Sequence, residues 1–136
     1  MKIAGLNPSE SLRNLVAGNQ NIELIPNPPQ AEMEALIANA QINVLVTFQA
    51  TGLKLKLLNT LYNGRWMLVN KEMLAGTGLE NLCEIADSAA NMKLKIKSLF
   101  DKEFDQNQLI TRSELLQKRF SDQINAKNLV TEVFCS

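Results

Sequence analysis

The stretch best suited to chemistry runs Val46-Thr47-Phe48-Gln49-Ala50-Thr51-Gly52-Leu53-Lys54-Leu55-Lys56-Leu57-Leu58-Asn59. An apolar run passes through a polar turn into a leucine-spaced helix. Thr51 has an oxygen that can cap that helix, and Gly52 lets a ligand come close to the backbone. The opening N–H groups of Gly52, Leu53 and Lys54 lack acceptors inside the helix. Together with the helix dipole they suit a diphosphate. Lys54 and Lys56 add positive charge. A plain crossover with a solvated lysine pair explains the same residues, because a Thr-Gly helix start is a short, unspecific motif.

Other candidates are weaker. Gly76-Thr77-Gly78 could form a second phosphate or sugar loop, or an ordinary connection. Asn7 and Ser9 follow a glycine-ended apolar run and could reach a nucleotide, although helix capping explains them equally. Trp66 fits a core better than a base-stacking platform. Cys83 reads as a small apolar residue. The chain has no histidine, which removes imidazole acid–base chemistry and histidine metal sites. Its two cysteines, Cys83 and Cys135, form no disulfide framework and fit a reducing, cytoplasmic setting.

Positioning such a turn requires a buried sheet. At 136 residues the chain is long enough for one domain with its own core. Lys plus Arg equals Asp plus Glu at 14 each, so bulk electrostatics argue against nucleic acid as a partner. No apolar run reaches the ~20 residues that span a bilayer, and the amino-terminal residues lack a signal-peptide core.

Lys2–Gly5, Ile22–Ile25, Ile42–Phe48, Trp66–Val69 and Leu82–Ala86 read as strands. Ile42–Phe48, β-branched and almost continuously apolar, is expected to be buried on both faces. Helices are expected after Asn7-Pro8-Ser9 up to Gly18-Asn19, around Met33–Ile37, and from about Gly52 to Tyr62. From about Ser88 the pattern is helical, with a last helix through Ile124, Leu129, Val130 and Val133. Strands alternating with helices predict an α/β fold, a Rossmann-like, mainly parallel sheet with flanking helices. Ligands of such sheets bind beyond the carboxyl ends of the strands.

Gly52-Leu53-Lys54-Leu55-Lys56-Leu57-Leu58-Asn59, followed by Gly64-Arg65 and Leu68-Val69, resembles a signature of retaining GT-B glycosyltransferases. That signature is a glycine turn, a leucine-rich helix, a glycine and a valine-rich strand. The family includes many bacterial mannosyl- and glucosyltransferases. Flanking segments agree. Ile3-Ala4-Gly5 resembles the second strand of the carboxyl-terminal, donor-nucleotide-binding domain. Asn39-Ala40 and Ile42–Leu45 resemble a helix end and the fourth strand. Phe120-Ser121 through Phe134 resembles the closing helix.

The resemblance implies a partial, truncated GT-B donor domain over residues 1–136, helical from about 88. It implies a sugar transferred from a nucleotide-sugar to a glycan or lipid-linked acceptor, as in polysaccharide biosynthesis, with no cofactor beyond the donor substrate. The acceptor would be held by an amino-terminal domain outside this chain, and the whole enzyme could sit peripherally on a membrane. The isolated chain would then be inactive. Two family glutamates, one facing the donor sugar and one bonding the ribose, fall on Thr51 and Asn59. Asn59 can still accept a ribose hydrogen bond, while Thr51 cannot act as a carboxylate. The nucleotide-sugar site expected on this basis is Thr51, Gly52, Leu53, Lys54, Lys56 and Asn59. A non-catalytic nucleotide-binding or interaction module is the other reading, favoured by the loss of both glutamates.

Overall fold

The structure, a computed structural model, describes residues 1–49 and 54–121. It is mixed α/β, Rossmann-like in its parallel strand pairing and flanking helices, and it divides into two compact units, Met1–Leu36 and Ile37–Ser136. The closing helix expected through Ile124, Leu129, Val130 and Val133 lies outside the described residues, as does Cys135.

In the first unit, β1 (Lys2–Gly5) pairs in parallel with β2 (Glu23–Pro26), Lys2 opposite Glu23 and Gly5 opposite Pro26. Between them runs α1 (Glu10–Ala17). Ser9 caps it by accepting from the Leu12 N–H at 3.3 Å, and the chain leaves at Gly18. Val16 is the buried contact of α1, whereas its neighbour Leu15 is 64% exposed. A unit with two short strands has too little sheet to cover both residues. Beyond the carboxyl ends of β1 and β2, the Asn27 N–H donates to Gly5 O at 2.8 Å. The Asn7 N–H donates to Asn27 Oδ1 at 2.7 Å. Both asparagines have positive φ, 45° and 52°, the left-handed region that asparagine tolerates better than other non-glycine residues. α2 (Gln30–Asn39) follows Pro28-Pro29.

The second unit contains a parallel sheet of order β3-β4-β5: β3 (Ile42–Leu45), β4 (Trp66–Val69) and β5 (Glu84–Ile85). Ile42 lies opposite Trp66, and Leu68 opposite Glu84. α3 (Leu55–Asn63) joins β3 to β4. A short α4 (Lys71–Leu74) and a 3-10 turn at Glu80–Leu82 join β4 to β5. α5 (Ala89–Phe100), capped by Ser88, and α6 (Gln106–Phe120), capped by Asp105, complete the unit.

The core forms around β4. Met67 and Val69 pack with Leu57 and Leu61 of α3, Met73 and Leu74 of α4, Leu79, and Leu116 of α6. Leu68, which alternates with them, points to the opposite face and is fully buried. α5 packs against β3 and β4. The expectation that Ile42–Phe48 is buried on both faces is corrected here. β3 pairs only with β4 among the described residues, so Val44 is 43% exposed and β4 is the buried strand. β3 also ends at Leu45 rather than Phe48, and Phe48 is 94% exposed. β5 is shorter than Leu82–Ala86 because Leu82 belongs to the 3-10 turn.

Candidate functional site

Chain direction puts Thr47, Asn70 and Asp87 at the carboxyl ends of β3, β4 and β5, the edge at which parallel α/β sheets take ligands. Two side chains tie those ends together. Asn70, 7% exposed, accepts from the Thr47 N–H at 3.1 Å and donates back to Thr47 O at 2.7 Å. This reciprocal pair continues the β3–β4 ladder by one side-chain rung. The same Nδ2 donates to Glu72 Oε2 at 2.6 Å. Asp87 accepts from the Lys71 N–H at 2.8 Å and pairs with Lys71 Nζ at 2.9 Å. These bonds to Lys71, the side-chain one foremost, hold the Asp87 carboxyl below the usual carboxylate range. The same side-chain bond raises the Lys71 ammonium above its ordinary value.

The turn into α3 follows β3 in sequence. Thr51, Gly52 and Leu53, three of the six expected site residues, lie outside the described residues. Lys54 occupies the N-cap of α3, with its O accepting from the Leu57 and Leu58 N–H groups at 2.8 and 3.2 Å. The expected helix start at Gly52 therefore moves to Leu55 within the described residues. A lysine cannot cap a helix as an acceptor, and the Lys54 side chain makes no cap bond to α3. Its first turn also carries no acid. Ser9, Ser88 and Asp105, in contrast, each supply an oxygen to their helices.

Lys56 and Asn59 lie on one exposed face of α3 with Asn63, while Leu57, Thr60 and Leu61 face inward. The structure thus brings Lys56 and Asn59 together and sets Lys54 at the head of their helix. The Asn59 Oδ1 accepts from Asn63 Nδ2 at 2.9 Å, which leaves its second lone pair for a ribose hydroxyl.

Gly76-Thr77-Gly78 behaves as a connection. Thr77 is buried, and its hydroxyl donates to Leu74 O at 2.7 Å and accepts from the Leu79 N–H at 3.2 Å. Gly76 and Gly78 supply the positive φ the loop needs. Asn7 and Ser9 have the turn and capping roles described above. Trp66 is half-buried, donating from Nε1 to Lys102 O at 3.2 Å and meeting Phe104 edge-on.

Sequence reasoning missed Asn70 and Asp87. Each directly follows a strand, and the polar switches Val69-Asn70 and Ala86-Asp87 were the available signal. It also missed Arg112, which lies in a cavity of about 380 Å³ at the amino ends of β4 and β5. That cavity is at the sheet edge opposite the α3 turn. The Cys83 thiol in its wall is pushed up to about 12 by burial, which leaves it protonated and unreactive at neutral pH.

Among the described residues no cluster of acidic or cysteine side chains could hold a metal ion, and no helix is long and apolar enough to cross a membrane. Comparison with protein-family models, curated proteins and solved structures finds no match.

Proposed function

We propose that this chain provides the donor-nucleotide-binding half of a glycosyltransferase, holding a nucleotide-sugar whose sugar passes to a glycan or lipid-linked acceptor. The strand pairing carries the reading. Each unit has wholly parallel strands joined through helices, β1-β2 in one and β3-β4-β5 in the other, as nucleotide-binding α/β sheets do. The acid-free first turn of α3 adds support, as do Lys56 and Asn59 on its exposed face. The diphosphate would lie at that helix start, with Lys54 and Lys56 countering its charge. Asn59 would bond the ribose.

One observation favours a second reading. Thr51 and Asn59 stand where the resemblance places glutamates, so a module that binds a nucleotide without catalysis accounts for the same helix.

Calorimetric titration with uridine, guanosine and adenosine diphosphates tests the binding shared by both readings. Gly52→Val is expected to weaken the nucleotide that binds. Asn59→Ala should weaken it by about 0.5–1.5 kcal/mol, the net scale of a neutral hydrogen bond. If no diphosphate binds, or if neither substitution changes the affinity, the α3 site is refuted. Donor turnover with the matching acceptor domain separates the enzyme from the module.

A further inference from the structure

The amino-end cavity of the second unit has a different character from the α3 turn. Its volume, about 380 Å³, falls within the range of small-molecule sites. Trp66, Phe104, Leu82 and Leu115 give it an apolar and aromatic lining, and Thr111 and Arg112 come from α6. Arg112 is only 6% exposed. Its guanidinium donates to Arg65 O at 2.9 Å and to Gly64 O, and lies 5.5 Å from the Phe104 ring centre. Both acceptors are neutral carbonyls. Its Nε–H is buried and has no acceptor. A buried cation is ordinarily paired with an anion, and none of the described carboxylates makes an ion pair with this one.

The two acids in the cavity wall are engaged elsewhere. Glu84 pairs with Lys95 at 2.5 Å. Asp105 caps α6 by accepting from the Asn107 N–H at 2.9 Å. Arg65 also lines the cavity, and Lys102 places its ammonium 4.6 Å from the Trp66 ring centre. The start of α6 adds the positive end of a helix dipole. The imbalance is positive, beside apolar walls.

We infer that this cavity is a binding site for a small organic anion, a carboxylate on a flat apolar body, with Arg112 as its charge partner and Trp66 and Phe104 as its walls. The carboxylate would approach the side of the guanidinium that the two carbonyls leave unused. The apolar body would fill the volume beside the rings. The site is separate from the proposed nucleotide site and does not depend on it.

Trp66 is the only tryptophan in the chain, so its emission reads occupancy of the cavity directly. The full chain would be titrated with phenylacetate, 2-phenylethylamine and 2-phenylethanol, which share a shape and differ in charge. Phenylacetate is expected to change Trp66 emission saturably, with a Kd on the order of 1 mM for so small a ligand. The amine should bind at least about tenfold more weakly, one tenfold step being the least that a charge preference should give. Arg112→Met should abolish that preference. Thr111→Phe, which alters an exposed residue and fills the cavity, should abolish the response while leaving the melting curve unchanged. Uridine diphosphate should leave the phenylacetate titration unchanged. An equal response to amine and acid, no saturable response to phenylacetate, or displacement of phenylacetate by the nucleotide would each overturn the assignment.

Discussion

Arg112 should contribute to stability as well as to the cavity, and removing it tests how the second unit holds together. It links α6 to the start of β4 through Arg65 O at 2.9 Å and Gly64 O, just beyond the end of α3. Hydrogen bonds from charged groups contribute roughly 1.5–3 kcal/mol each, and a partly desolvated cation over a ring adds about 0.5–2 kcal/mol. Against this stand the desolvation of the guanidinium, which lowers its pKa, and the orphaned Nε–H, which costs about 1–3 kcal/mol. Arg112→Ala loses the bonds and the stem, and leaves two carbonyls unpaired. A net loss of about 2–4 kcal/mol follows from those terms. Arg112→Met keeps the apolar stem against Phe104 and should cost about 1–3 kcal/mol. Arg112→Lys keeps the charge but cannot span both carbonyls, and should cost about 1–2 kcal/mol. Urea unfolding followed at Trp66 reports the second unit alone, since the first has no tryptophan. With an m-value of about 1.5 kcal/mol/M, the alanine variant should shift the midpoint down by about 1–3 M. A methionine variant as stable as the parent, or more so, would refute the reasoning. It would show that desolvating the guanidinium outweighs its bonds.

The Lys71–Asp87 pair carries a pH signature. Because the folded Asp87 pKa is depressed, its contribution is present above the unfolded value and is lost as pH falls through the folded one. The folded Lys71 pKa is raised, so its contribution is full below its unfolded value and fades as pH rises through the folded one. An acid titration of the Lys71 amide by NMR should show an inflection below about 3.9, the ordinary aspartate value. An inflection at or above that value sinks the assignment. The two loop glycines separate backbone strain from crowding. Gly76→Ala, at φ +72° with open space around it, should cost about 1–2 kcal/mol from backbone conformation alone. Gly78→Ala, at φ +63°, should cost slightly more, because its methyl would displace the exposed Arg119 guanidinium and its 2.8 Å bond to Gly78 O. Equal losses in thermal melts would mean that the Arg119 contact carries no weight.

Much of the architecture follows from local chemistry. Ser9 and Gly18 bracket α1 as capping preferences require, and Trp66–Val69 is a strand with the expected bounds. Leu57 and Leu61 fall on the buried face of α3, as their helical spacing dictates. The parallel α/β class follows from the alternation of such segments. Of the proposed site, the shared exposed face of Lys56 and Asn59 was legible for the same reason: residues three apart on a helix must share a face. Tertiary structure decided what periodicity does not encode. Ile42–Leu45 and Trp66–Val69 are both apolar runs, and only pairing order makes the second central and the first partly exposed. Asn70 reaches Thr47 across 23 positions, and Arg112 reaches Gly64 across 48. No local pattern announces either, because the strand register and the packing of α6 bring those groups together. A buried guanidinium on two carbonyls reads in the chain as one more surface arginine of a polar helix, and only the folded second unit takes it out of water.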